Sequence, residues 1–317
     1  MRFPDFFIVG APKCGTTSLA GWLAAHPQIF MAPVKEPHFF NTDDRQGVTT
    51  LADYAALFRA AGDGHAAVGE ASVWYLSSAA AIGNILRHRP AARFIVLLRN
   101  PVEMAPALHA EMVLSGHENV RDFRRAWDLQ DERRAGRCLP PFTWAQRRLQ
   151  YGEACALGAQ MQRLVSVAGR ARVLAIVLDD MAADPRQEYR RALRFLGVAD
   201  DGRQDFPVHN TARALRHPIL TRALFVASQV KNRAGLDLHL GLWERLARAN
   251  TLKASRPPLT AETVQLLRDH FHADIRLLGD ILERDLRPWL ATGQPAPAPP
   301  RRRIAREPVP IGCMPIR

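Results

Sequence analysis

Cysteine is scarce and scattered in this chain. Its four thiols, Cys14, Cys138, Cys155 and Cys313, share no C-x-x-C spacing, which argues for reduced thiols and against a disulfide framework or a zinc site. No apolar run is long enough to span a bilayer. The N-terminus enters an apolar strand by Phe6 without the basic region and longer apolar segment of a secretory signal, so a cytoplasmic protein with no membrane span is expected. Long polar linkers are also missing. One domain is therefore expected over residues 1–294, followed by a mobile Pro/Arg-rich tail over 295–317 that carries Arg301, Arg302, Arg303 and Arg306. Acidic side chains are the minority, 31 against 43 Lys and Arg, for a formal net charge of +12. That excess favours an anionic partner such as a nucleotide, a sulfated or phosphorylated substrate, nucleic acid or a membrane surface, although an Arg-rich, Ala-rich composition alone can produce it. With 47% hydrophobic residues in a chain of 317, a substantial core can be buried without metal or disulfide staples.

What is present begins with Phe6-Phe7-Ile8-Val9-Gly10-Ala11-Pro12-Lys13-Cys14-Gly15-Thr16-Thr17-Ser18. A short apolar run, a Gly/Pro loop and hydroxyl residues opening a helical pattern describe a strand, a loop and a helix N-terminus. Such a junction directs backbone N–H groups and the positive end of a helix dipole at one spot, as phosphate binding requires. A nucleotide P-loop reads G-x-x-x-x-G-K-[ST]; the spacing from Gly10 to Gly15 fits, but Thr16 stands where the lysine belongs. Lys13, inside the loop, could reach a bound anion from another side.

The first helix is expected over 17–25, ending near Pro27. Lys35-Glu36-Pro37-His38-Phe39-Phe40 places a lysine, a carboxylate and a histidine within four positions, a candidate reactive cluster on a loop. A brief strand over 66–69 precedes Glu70 to Tyr75, and a helix over 79–87 follows. Residues 93–98 form the clearest strand, apolar almost throughout as a central parallel strand is, and Arg99 sits where it gives way. Residues 117–142 are charge-rich and read as helical pieces and loops on the surface. A helix over 144–167, a strand over 172–178, a helix over 185–196 opened by proline and an amphipathic helix over 260–286 with Thr260 as N-cap complete the clear elements. Further helices are plausible over 220–231 and 242–249. Strands alternating with helices argue for an α/β fold, a doubly wound parallel sheet flanked by helices, with ligands at the carboxyl ends of the strands where Gly10, Glu70 and Arg99 fall.

With these pieces in order, the sequence resembles the sulfotransferases that use 3′-phosphoadenosine 5′-phosphosulfate (PAPS), in particular bacterial members of the branch related to the heparan sulfate enzymes. The resemblance spans most of residues 5–290. It is strongest in Gly10 to Ser18, Lys35 to Phe40, Gly69 to Tyr75 and Arg93 to Glu103, with Asp184-Pro185 and Phe195-Leu196-Gly197-Val198 similar to a later strand and helix of the family. It implies a P-loop-like sheet in a single domain, whose first loop holds the 5′-phosphosulfate through Lys13, Gly15, Thr16, Thr17 and Ser18, with Arg99 on the 3′-phosphate. It also implies that Glu36 is the base that takes the acceptor proton, that Lys13 neutralises charge on the bridging oxygen and that no metal cofactor is needed. The acceptor would be a hydroxyl or amine of a glycan or a small molecule. Two positions depart from the family pattern: Ala107 stands where a serine usually supplies a second 3′-phosphate ligand, and Ala71 where heparan-type relatives often carry a lysine.

Each candidate has a structural rival. Glu36 and Lys13 could be ordinary solvated loop charges, Arg99 could pair with a carboxylate, and His38 is read either as a catalytic residue or as a packed, hydrogen-bonded one. Glu70 and Tyr75 either line the acceptor site or brace it. His270 and His272 lie two apart on a helix, hence on different faces, and are structural. Competing functions are a P-loop nucleotide kinase or NTPase, disfavoured by Thr16 and the lack of an acidic magnesium partner, and a non-catalytic binder of nucleic acid or another anionic polymer. No nucleic-acid partner is expected, because no such motif occurs and the arginines are not interleaved with aromatics.

Overall fold

Strand β1 (Phe6–Gly10) and strand β4 (Arg93–Leu98) are the two most apolar runs of the chain, and they lie side by side at the centre of the molecule. In this computed structural model, which describes residues 2–44, 47–141, 143, 146–208, 213–215, 221–223, 225–227, 251–253 and 258–291, five strands form a parallel sheet in the order β2-β3-β1-β4-β5. The others are β2 (Ile29–Met31), β3 (Ala67–Ala71) and β5 (Val173–Val177). β1 is buried along its whole length and β4 from Phe94 onward, as expected when helices cover both faces of a parallel sheet. Because β2 and β3 lie to one side of β1 and β4 and β5 to the other, the chain reverses its winding at β1. The crevice at such a switch point, beyond the carboxyl end of the strand, is where open α/β sheets bind ligands.

The helices are α1 (Thr16–Ala24), α2 (Leu51–Ala56), α3 (Ala81–His88), α4 (Pro101–Leu114), α5 (Phe123–Asp128), α6 (Gln130–Arg134), α7 (Tyr151–Ala154), α8 (Leu157–Ala168), α9 (Leu178–Ala183), α10 (Pro185–Leu196) and α11 (Ala261–Leu282). A short antiparallel pair, β6 (Arg213–Leu215) with β7 (Thr251–Lys253), lies outside the main sheet. Two ends follow from sequence alone: Thr260 caps α11 by accepting the Thr263 N–H, and Gly197 closes α10 at φ 72°.

Three expectations need correction. The strand expected over 66–69 runs to Ala71, so Glu70 lies within it and not beyond its end. The helix expected over 144–167 is broken into a 3₁₀ turn (Gln146–Leu149), α7 and α8. The break follows from capture by other segments: the Tyr151 hydroxyl donates to Glu118 at 2.8 Å, the Gly152 N–H to Gln130 at 2.7 Å, and Asp274 of α11 accepts the Gly158 and Ala159 N–H groups at the start of α8. The charge-rich stretch 117–142 is not all surface. Arg133 and Glu118 face each other through two bonds of 2.7 and 2.8 Å with both side chains fully buried, a pairing that compensates two charges burial would otherwise penalise. The helices expected over 220–231 and 242–249 fall outside the described residues, apart from helical backbone at 221–223 and 225–227. The 295–317 tail lies outside them entirely. No helix among the described residues is long and apolar enough to cross a membrane.

Candidate functional site

The loop after β1 leaves the sheet where glycine is required. A Cβ on Gly10 would lie 2.7 Å from the Leu76 Cβ, and Gly15, at φ 88°, would put one 2.5 Å from the Met181 methyl. Gly15 is the N-cap of α1 and supplies no side-chain cap, so the N–H groups of the first turn make the positive end of the helix dipole. Thr16 and Ser18 are buried at this helix start and Thr17 is half-buried. Cys14 also sits in the loop, but it is fully buried against the Pro12 carbonyl and Met104, and burial pushes its thiol up to about 12. It is therefore a packing residue and not a nucleophile.

Lys13 and Arg99 come together at the ends of β1 and β4. The Arg99 Nη1 donates to the Lys13 carbonyl at 3.4 Å. Each cation also meets a carboxylate on α4: Arg99 Nη2 donates to Glu103 at 2.8 Å and Lys13 Nζ to Glu111 at 2.9 Å. Residues 103, 107 and 111 recur every fourth position, on one helix face, so Ala107 lies between the two acidic anchors. Pairing with a carboxylate was one of the two readings of Arg99, and Ala107 was singled out in the sequence; Glu103 and Glu111 as the anchors were missed, although their i, i+8 spacing around Ala107 was visible there. Asn100 starts α4 by accepting the Val102 N–H, with Pro101 as its first residue, which fixes Arg99 at the junction of strand and helix.

The loop after β2 crosses the end of β3, where the Glu36 N–H donates to the Ala71 carbonyl at 2.9 Å. Glu36 accepts from Lys35 Nζ at 3.0 Å, and its other oxygen lies 3.0 Å from His38 Nε2. Partial burial pushes the Glu36 carboxyl up, but the bond from His38 and the charges of Lys35 and His38 outweigh it and hold the group down to about 2. Glu36 keeps 28% of its side chain exposed, whereas His38 keeps 8% and its Nδ1 is buried without a partner. The carboxylate thus faces outward while the imidazole backs it.

Behind this loop, Glu70 is fully buried and accepts three hydroxyls, from Tyr54 at 2.9 Å, Ser72 at 2.9 Å and Tyr75 at 3.0 Å. Burial pushes its carboxyl up to about 7, against the lowering influence of those hydroxyls. Of the two earlier readings for Glu70 and Tyr75, the geometry selects bracing: neither side chain reaches the surface. His270 packs edge-on against Trp127 and Phe271, in keeping with a structural role. Among the described residues no group of His, Cys, Asp or Glu could hold a metal ion.

Backbone strain marks the same positions independently. Among the described residues five non-glycine positions have positive φ, and three are Lys13 (63°), Glu36 (65°) and His38 (53°). Left-handed backbone at non-glycine positions is costly and collects at functional sites. Here it collects on two loops at the carboxyl edge of one sheet.

Known proteins resemble this chain to different extents. The crystal structure of a sulfotransferase from Alicyclobacillus acidocaldarius superposes with a TM-score of 0.66 at 26% identity, over 91% of this chain and 99% of that one. Human carbohydrate sulfotransferase 15 is 46% identical over 50 residues, 16% of this chain and 9% of the relative. Human heparan sulfate glucosamine 3-O-sulfotransferase 6 is 35% identical over 123 residues, 39% of this chain and 34% of the relative. The chain therefore matches well under two thirds of the length of these curated relatives. The sequence pattern of the sulfotransferase family extends over residues 4–202, taking in the Lys13 loop, the Glu36 loop, Arg99 and all five strands of the parallel sheet. On that match and that fold, the chain belongs to the sulfotransferase family.

Proposed function

We propose that this protein transfers the sulfuryl group of PAPS to a hydroxyl or amine of a glycan or small-molecule acceptor, without a metal cofactor. The observation that carries the reading is that Lys13, Glu36 and His38, all in left-handed backbone, and Arg99 lie on loops at the carboxyl edge of one sheet, after strands β1, β2 and β4. In the transfer, a bond forms between the acceptor atom and sulfur while the bond from sulfur to the bridging oxygen of the 5′-phosphate breaks. Glu36 takes the acceptor proton. A carboxylate held near 2 is ionised at neutral pH, and as a weak base it accepts the proton as the transfer proceeds and not beforehand. His38, with one ring nitrogen on Glu36 and the other buried, keeps that carboxylate turned outward. Lys13 stabilises charge developing on the leaving phosphate, a contribution made where charge appears in the transition state.

Thr16, Thr17, Ser18 and the N–H groups at the start of α1 would hold the phosphosulfate, and Arg99 the 3′-phosphate. The residues present fit this ligand in one respect and weaken it in another. Both cations already hold carboxylates, so a phosphate exchanges one anion for another; Ala107, however, offers no hydroxyl beside Arg99. The partial likeness to two carbohydrate enzymes supports placement on the heparan sulfate-type branch, with a glycan the first acceptor class to test and a small metabolite the second. The decisive measurement is calorimetric titration with 3′-phosphoadenosine 5′-phosphate (PAP). Binding of PAP in clear preference to ADP is expected, and absence of binding or equal preference refutes the reading.

A further inference from the structure

The hydroxyls around Glu70 do more than satisfy a buried carboxylate. Two of them continue outward to the backbone of the Glu36 loop. Ser72 Oγ donates to Glu70 at 2.9 Å and accepts the His38 N–H at 3.2 Å. The Tyr75 hydroxyl donates to Glu70 at 3.0 Å and accepts the Phe40 N–H at 3.2 Å. An ionised carboxylate only accepts, so it draws both hydroxyl hydrogens inward and leaves an oxygen lone pair of each facing the loop. The third hydroxyl, that of Tyr54, reaches Glu70 at 2.9 Å from α2, while the His38 and Phe40 N–H groups go to Ser72 and Tyr75.

The loop needs such an anchor. Glu36 and His38 both hold left-handed backbone, a conformation that persists only where the surroundings over-determine it. Besides the two hydroxyl arms, the loop is tied by the Glu36 N–H on Ala71, the Val48 N–H on the Pro37 carbonyl and the Asn84 amide on the Phe40 carbonyl. Only the arms converge on one group, and they bracket His38 and Phe40 from inside the sheet. A displacement of His38 by an ångström would carry Glu36 with it, because the two side chains are 3.0 Å apart.

We propose that Glu70 is a positioning residue for the sulfuryl transfer: acting through Ser72 and Tyr75, it sets the backbone of the loop that aims Glu36. This rests on the reading given under Proposed function. A general base must sit within hydrogen-bond reach of the proton it takes, and small misplacements of reacting groups cost rate with little effect on binding.

The test compares three conservative deletions in the full chain. Ser72→Ala and Tyr75→Phe each remove one arm to the loop, whereas Tyr54→Phe removes a hydrogen bond of similar length from the same carboxylate without touching the loop backbone. For each, amide hydrogen exchange over residues 36–40, the midpoint of thermal unfolding, and the rate of PAP formation from PAPS are measured. Ser72→Ala and Tyr75→Phe are expected to speed exchange in the loop about tenfold and lower kcat about tenfold, with the KM for PAPS unchanged within about twofold. Tyr54→Phe is expected to change unfolding without matching either effect. Unchanged exchange in both arm variants, unchanged kcat in them, or an equal kcat loss in Tyr54→Phe overturns the proposal, the last by making the cluster a general stabiliser. A wild-type protein that neither binds PAP nor forms it from PAPS overturns the sulfotransferase reading, and the positioning role falls with it.

Discussion

Ala107→Ser tests the donor site by adding to it. Ala107 lies on the α4 face one turn beyond Glu103, which holds Arg99 at 2.8 Å, and one turn before Glu111, which holds Lys13 at 2.9 Å. A hydroxyl placed there gains a hydrogen bond to a charged phosphate, typically about 1.5–3 kcal/mol. Two effects reduce the gain. A serine inside a helix can bond back to the carbonyl one turn earlier, and giving up that bond costs about 1 kcal/mol. The site is also tight, because Ala107 is 1% exposed, so some repacking accompanies the added atom. A net gain of about 1 kcal/mol corresponds to roughly fivefold tighter binding. The assay is titration calorimetry of wild type and variant with PAP and ADP in parallel. Tightening is expected for PAP alone, since only PAP carries the 3′-phosphate that Arg99 and residue 107 would share. Equal tightening of both nucleotides, or none in a variant that unfolds at the wild-type temperature, refutes the placement of the 3′-phosphate beside Arg99.

Glu36→Gln is expected to lower turnover by about a hundredfold or more, the usual contribution of a general base, while PAP binding stays within about twofold. Retained turnover in a steady-state assay would transfer the base to another group. The pH profile of kcat provides a separate check. As pH falls below about 7, Glu70 takes up a proton and one of its three hydroxyl donors loses an acceptor, so activity is expected to decline on the acid side with a limb near 7; Glu36, held at about 2, contributes no limb in the working range. A plateau extending down to pH 5 contradicts this account.

The sheet was legible in the sequence because burial on both faces leaves a continuous apolar signature. β4 was bounded at the right residues from Arg93 to Leu98, and α10 from Pro185 to Leu196, where proline and glycine mark the two ends. The loops carrying Lys13 and Glu36 could be found from residue types and order. Their strain could not, since nothing in Lys35-Glu36-Pro37-His38 shows that two of these residues adopt positive φ. Long-range charge pairing was equally hidden. Glu118 and Arg133 read as solvated charges because local composition says nothing of a partner 15 positions away, yet they are buried against each other with Tyr151 completing the cluster. The break in the helix expected over 144–167 has the same origin, an Asp274 carboxylate from α11 capping α8 from outside its own sequence.

Glu36 and Glu70 show how one side-chain type serves two ends of a site. Both stand at the carboxyl edge of β3, and their environments drive them in opposite directions, to about 2 and about 7. Glu36 has a lysine and a histidine against it and an open face toward solvent, so it stays ionised and reachable, as a proton acceptor must be. Glu70 has only hydroxyls and no exposure, so its charge is expensive and its carboxyl is ionised only above about pH 7. The charge of Glu36 adds to that expense, being one of the influences that raise Glu70. Divergent carboxyls of this kind are a recurrent mark of divided labour in an active site. On the proposed function, the division follows from the partners each group has: cations and solvent would fit Glu36 for chemistry, and hydroxyls that continue to backbone N–H groups would fit Glu70 for alignment.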